Sequence, residues 1–263
     1  MEAKLQAFIA FIKERPFNII LWKFYSKLFS AKIPGAQSWI SLIKDKSGIE
    51  IGGPSGIFSD KNFLPIYPFI KSLDGVNFSN KTIWEGQLEQ GNNYHYDCKT
   101  GFQFIVEGTN LKEIKDVEYD FLLSSNNLEH IANPIKALIE WKRILKPGGV
   151  MILVLPRKES NFDHKRSITS FEHLQQDYEN DTNEKDLSHL NEILQLHDLK
   201  RDSYAGSFED FKRRSENNFE TRSLHHHVFD IPLLKQLINF IEMKTELFYS
   251  SLTDHFIAAR KIL

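Results

Sequence analysis

The sequence predicts an α/β fold built on a parallel sheet, and residues 118–156 carry most of that prediction. Phe121, Leu122 and Leu123 follow a charged lead-in, and 150–155 is an unbroken apolar run, the pattern of parallel strands covered on both faces. Between them Asn133 suits a helix N-cap and Pro134 the first helical position, where a missing N–H costs nothing. Ile135, Leu138, Ile139 and Leu145 recur at helical spacing, with Lys136, Glu140 and Arg143 as polar positions among them. Lys146-Pro147-Gly148-Gly149 then stops the helix and turns the chain. Strand, helix and strand in this order form the right-handed crossover of parallel α/β proteins.

Three motifs within this stretch also carry a family likeness: Asp120-Phe121-Leu122-Leu123, Leu128-Glu129-His130, and the run from Trp141 through Arg143 and Lys146 to Gly149, followed by an apolar strand ending at Pro156. Together they closely resemble the central region of class I S-adenosylmethionine-dependent methyltransferases. The resemblance covers roughly residues 48–156 and again 228–263, and is weak elsewhere. It implies a Rossmann-like sheet of seven strands, mostly parallel with one antiparallel, helices on both faces, and S-adenosylmethionine as cofactor. On this frame the chain divides into an N-terminal helical extension over 1–43 and a methyltransferase domain over 44–263, with an insertion at 157–224.

At 263 residues the chain is long for one α/β domain and short for two, so one domain with additions is expected. Lys and Arg number 33 against 35 Asp and Glu, a net charge of -2 that gives no global reason to expect a nucleic-acid partner. The expected partner is a small molecule. Cys98 is the only cysteine, which excludes an intramolecular disulfide framework and a cysteine-rich zinc site, and fits the reducing cytoplasm. The apolar stretch over 7–29 is broken by Lys13, Glu14, Arg15, Pro16 and Lys23, so it falls short of the ~20 residues of a spanning helix and does not read as a cleavable signal.

Residues 1–30 carry two helical patterns separated at Pro16, one using Leu5, Phe8, Ile9 and Ile12, the other Ile19, Ile20, Trp22, Phe24 and Leu28. Packing on the body of the protein is the expected fate of both, ahead of an interfacial membrane helix. Next, Ile49-Glu50-Ile51 breaks into Gly52-Gly53-Pro54-Ser55-Gly56, a strand and glycine loop where a nucleotide-like cofactor can approach the backbone. In the family this motif's acid helps hold the methionine part of the cofactor; the resemblance puts that role on Glu50 and the close loop on Gly52, Gly53, Pro54, Ser55 and Gly56. Pro54 makes the loop a variant.

The family's second strand ends in an acid that grips the ribose, and this chain lacks an obvious one. Asn77, after Gly75 and Val76, is the expected substitute, with Glu85 as fallback. The third strand, from Phe102, exits at Glu107, Gly108 and Thr109; there the resemblance implies that Glu107 meets the adenine amino group. Ser124, Ser125 and Asn126 occupy the loop that in the family lies under the cofactor's amino-acid portion, and His130 is expected to shape that loop. Residues 229–241, 244–250 and 255–261 read as a closing helix, strand and strand.

The polar insertion at 157–224 is placed to cover the crevice of such a sheet and is expected to be a substrate lid. Within it His164 is the expected general base and Arg166 the holder of an anionic group on the acceptor. A metal site is the rival use of these side chains. His173 and Asp177 would share a helix face, and His225 and His227 a strand face, but no complete ligand signature is present and no metal is assigned. The Gly52–Ser55 loop together with Phe162-Asp163-His164-Lys165-Arg166 looks similar to bacterial enzymes of cell-surface glycans, including those that methylate capsular phosphoramidate groups. The expected reaction is methyl transfer to a small molecule or glycan precursor, such as a capsule or surface-polysaccharide precursor with an anionic group. A catalytically silent relative is the alternative, suggested by Pro54 and the missing ribose acid. A nicotinamide-dependent oxidoreductase is disfavoured because Gly-x-Gly-x-x-Gly is absent.

Overall fold

The computed structural model of the chain describes residues 19–21, 31–202 and 204–262. Apart from 19–21, where Ile19 and Ile20 are buried in a helical turn, the two N-terminal helical patterns lie outside the described residues.

An eight-stranded sheet organises the rest. In chain order its strands are β1 (Ser47–Ile51), β2 (Ser72–Asn77), β5 (Gly91–Tyr96), β6 (Lys99–Ile105), β7 (Tyr119–Ser125), β8 (Leu145–Pro156), β9 (Met243–Ser250) and β10 (Asp254–Lys261), while β3 (Lys81–Thr82) and β4 (Gly86–Gln87) pair apart from it. The spatial order is β5-β6-β2-β1-β7-β8-β10-β9. Pairing is parallel from β6 through β8, and β10 runs antiparallel between β8 and β9. These are the seven strands the resemblance implies. The eighth, β5, forms an antiparallel edge hairpin with β6. Its sequence, Gly-Asn-Asn-Tyr-His-Tyr, buries only Tyr94 and Tyr96, too few apolar positions to announce a strand.

Period-two alternation along the central strands builds two cores, one on each face. Leu122, Met151, Leu153 and Leu155 face α2 (Pro134–Ile144) and α7 (Ile231–Phe240). Phe121, Leu123, Val150, Ile152 and Val154 face the other way, against Trp39 of α1 (Ala36–Ser41) and the segment that contains Phe58, Leu64 and Tyr67. Asn133 caps α2 as its sequence predicts: its side chain accepts from Lys136 N at 3.0 Å. Leu145, counted with the helix from spacing, is the first residue of β8. Trp141 is fully buried and its Nε1 donates to Gly108 O at 2.9 Å, which fixes the chain after β6 against α2.

The insertion folds into α3 (Phe171–Glu179), α4 (Leu190–Leu196), α5 (Phe208–Glu216) and the short α6 (Asn218–Thr221). It has a small core of its own in Ile193, Ala205, Phe211 and Leu224. No helix among the described residues is long and apolar enough to cross a membrane.

Candidate active site

Strand order reverses about β1, which has β2 on one side and β7 on the other, and a ligand crevice is expected outside the carboxyl ends of strands at such a point. A cavity of about 650 Å³ opens there. Its floor is the loop after β1 together with the exits of β2, β6 and β7, and its far wall comes from the insertion.

Gly52, Pro54, Ser55 and Gly56 line this cavity. Gly52 has a φ of 79°, and a Cβ there would lie 2.7 Å from the Asn127 side chain, so only glycine lets the loop pass. Glu50 and Gly53 stand behind the wall, which corrects the contact expected of them. Glu50 is fully buried, accepting from Ser55 N at 3.0 Å and from Tyr67 Oη and Tyr94 Oη, each at 2.7 Å. Burial raises its pKa, against the hydrogen bonds from Ser55 and the two tyrosines. Its acceptor positions are spent on holding the loop, and Gly53 packs directly on it.

Asn77 reaches the wall, with its Nδ2 donating to Gly53 O at 3.0 Å, and Glu85 lies on the same cavity. Glu107 and Gly108 also line it. The Glu107 carboxylate is already engaged, accepting from Gly108 N at 3.1 Å and from Arg222 Nη2 at 2.8 Å. Arg222 in turn reaches Glu184 at 3.1 Å and lies over the Phe78 ring, so it ties the insertion to this edge of the site. Thr109 faces a separate cavity of about 220 Å³. Ser125 and Asn126 are on the main wall, whereas Ser124 is buried and donates to Ile51 O at 3.2 Å. Asn127, overlooked in the sequence, presents a buried Nδ2 with no hydrogen-bond partner among the described residues.

The residues expected on the acceptor side are not there. Arg166 is 2% exposed; it donates to Asp163 Oδ1 at 3.1 Å, to His225 O at 2.7 Å and to His226 O at 3.1 Å, so no face of its guanidinium is open to an acceptor. His164 pairs through Nε2 with Asp198 Oδ2 at 2.9 Å, and neither it nor Arg166 lines the cavity.

Glu129, His130 and His225 line the cavity where those two residues do not. One side-chain ligand atom from each of the three lies within 4.8 Å of the others. Glu129 is 1% exposed, and neither carboxylate oxygen has a hydrogen-bond partner among the described residues; burial pushes its pKa up to about 7. His130 meets Leu224 O through Nδ1 at 2.9 Å, and burial followed by the neighbouring His225 charge lowers its pKa. His225 Nδ1 lies 2.5 Å from Asp163 Oδ2. Burial opposes ionisation of Asp163, but His225 and then Arg166 hold its pKa at about 2. The three adjacent histidines therefore diverge: His225 faces the cavity, His226 meets Asn218 at 3.0 Å, and His227 turns toward Ala132 O at 3.1 Å. The expected sharing of one face by His225 and His227 does not occur. No signal in the sequence linked His225 to Asp163, which stands 62 positions away.

Residues 51–153 match the family model of the methyltransferase domain. A comparison with curated proteins gives no match. Among solved structures, the chain is similar to an S-adenosylmethionine-dependent methyltransferase from Mesorhizobium loti, at 9% identity over 86% of this chain and 96% of that one, with a TM-score of 0.49. It is similar to one from Aquifex aeolicus at 11% identity over 95% and 100%, with a TM-score of 0.44. A third, from Methanosarcina mazei, has 15% identity over 84% and 94% and a TM-score of 0.42. The match over residues 51–153 supports a methyltransferase domain with S-adenosylmethionine as its cofactor.

Proposed function

We propose that this methyltransferase acts on a hydroxyl of a small polar acceptor of the glycan-precursor type, held beneath the 157–224 insertion as a lid. The observation that carries this reading is Glu129, a buried carboxyl without hydrogen-bond partners among the described residues, on the same cavity as the glycine loop. The cavity's residues fit the cofactor. Gly52 leaves bare backbone on the wall, and Asn127 offers an Nδ2 with no hydrogen-bond partner among the described residues beside it. Asn77 and Glu107 stand at the strand exits where ribose and adenine contacts would fall.

When bound, S-adenosylmethionine supplies an electrophilic methyl group, which leaves the protein to align the acceptor and take its proton. Glu129 accepts that proton, a task suited to a carboxyl whose pKa lies near the working pH. His225, oriented through Nδ1 by Asp163, stands beside Glu129 and favours its ionised form. Phe162, Trp84 and Tyr204 give the cavity apolar faces among these polar groups, a mixture suited to a sugar ring. Arg201 and Arg214 lie on the same wall, each beside an aspartate, Asp198 and Asp202, and an anionic substituent, phosphate or phosphoramidate, would meet them there. Exposed, unpaired Cys98 is compatible with a reducing cytoplasm.

Calorimetry with S-adenosylmethionine and its demethylated product, followed by a methylation screen of neutral, carboxylated and phosphorylated sugars, tests this reading. Binding of both compounds and turnover with at least one sugar class is expected. Binding of neither at millimolar concentration by folded protein would overturn the site, and turnover confined to proteins or nucleic acids would overturn the acceptor class.

A further inference from the structure

A second group of titratable side chains lies in the insertion, away from the cavity. α3 presents His173 and Asp177 on one face, as their spacing of four dictates. His189, immediately before α4, and His227, in the segment before α7, come to meet them. One ligand atom from each of these four residues lies within 4.8 Å of all the others. The Nε2 atoms of His173 and His189 are 2.9 Å apart, and Asp177 Oδ2 lies 3.4 Å from His173 Nε2 and 3.6 Å from His227 Nε2. None of the four lines the large cavity.

Hydrogen bonding leaves this group incomplete. Asp177 Oδ2 is buried and has no hydrogen-bond partner among the described residues. His227 is 1% exposed; its Nε2 meets Ala132 O at 3.1 Å and its Nδ1 has no hydrogen-bond partner among the described residues. Leaving a buried polar atom unsatisfied is costly, and here two residues carry one each in the same place. A cation satisfies a carboxylate and several imidazoles at once. Three nitrogens and one oxygen from four protein ligands match a closed tetrahedral site, the structural form in which zinc is held. Glu192, whose Oε2 lies 3.8 Å from His189 Nδ1, stands where an outer partner orients a ligating histidine.

We propose that His173, Asp177, His189 and His227 bind one zinc ion, which pins the insertion to the segment carrying His225 and so holds the far wall of the methyl-transfer cavity in place. The sequence offered the helical pair, and His227 only as a partner of His225; His189 and His227 come from loops 16 and 54 positions from His173.

The test is the metal content of protein purified from zinc-supplemented cells, with the thermal midpoint measured after chelation and after zinc is returned. About one zinc per chain is expected, with a midpoint that falls on chelation and recovers on return. Asp177→Asn and His189→Ala should each weaken zinc binding by about 100-fold or more, beyond the usual effect of outer partners. Glu129→Gln, on the cavity, should retain the metal. Should the ligand variants fail to fold, Co²⁺ in the chelated parent decides: the intense visible bands of a tetrahedral site support the proposal. Absence of those bands, a chelated protein indifferent to Zn²⁺, or loss of the metal in Glu129→Gln would overturn it.

Discussion

Tyr94 Oη lies 2.7 Å from Glu50 Oε2 and so joins the edge strand β5 to the middle of the sheet. Tyr67 Oη donates to the same oxygen and Ser55 N to the other, so a carboxyl closed off from water grips the glycine loop from behind. The loop's shape is set by packing before a ligand arrives.

Substitutions in that loop should therefore divide by what lies behind each glycine. A Cβ at Gly53 would come 2.3 Å from both Glu50 Cδ and Tyr94 Oη, whereas one at Gly56 would meet nothing within 4 Å. Gly53→Ala is expected to lose about 1–3 kcal/mol of stability, as overpacked cores do, and to weaken cofactor binding along with it. Gly56→Ala should leave stability unchanged. Urea unfolding and calorimetry measure both, and a Gly53→Ala protein as stable as the parent would remove the packing argument.

Asp163 should make stability depend on acid. Its folded pKa of about 2 lies below the ordinary carboxylate value, so its contribution is present above the unfolded pKa and is lost as pH falls toward 2. With the group almost wholly buried, that contribution is about 2–3 kcal/mol. Asp163→Asn leaves Arg166 and His225 without their carboxylate and is expected to cost about 3–5 kcal/mol near neutrality. Urea unfolding across pH 5 to 2.5 should show the parent converging on the variant as pH falls. Parallel curves would mean that the pair is not linked to Asp163 ionisation.

How much of this was legible follows from range. The β7, α2 and β8 unit, with its Asn133 cap, was readable because apolar runs and capping residues act on near neighbours. The closing α7, β9 and β10 were readable for the same reason. Glu50 was misplaced because the tyrosines that consume it arrive from 17 and 44 residues away, one of them on a strand whose sequence is mostly polar. Arg166 read as an anion holder because sequence shows a charge and not its burial; its two carbonyl acceptors lie 59 and 60 positions on. Glu129 was visible within a family motif, yet nothing local marks a carboxyl that folding strips of partners.

Glu107 has two possible employers, and one comparison separates them. Its carboxylate already accepts from Arg222, so its place on the wall could serve the insertion as well as the cofactor. If a buried adenine donor depends on it, Glu107→Ala should weaken S-adenosylmethionine binding by about 1–3 kcal/mol. Calorimetry checks this beside Arg222→Ala. Unchanged affinity in Glu107→Ala would leave the residue only its ion pair.

The assignment of the base rests on a contrast between a residue the structure puts on the wall and one it puts elsewhere. Glu129 lines the cavity with neither oxygen hydrogen-bonded among the described residues, while His164 is tied to Asp198 and lines no part of it. Glu129→Gln preserves shape but cannot take a proton, so it should bind S-adenosylmethionine like the parent and lose turnover by about 10²- to 10⁴-fold. His164→Ala removes a half-buried hydrogen bond to Asp198 and should leave turnover within a factor of about 3, with a stability loss of about 1 kcal/mol. Single-turnover assays at saturating cofactor measure the chemical step in both variants. Full activity in Glu129→Gln would exclude it as base, and a collapse of turnover in His164→Ala at unchanged stability would return the role to the insertion's histidine.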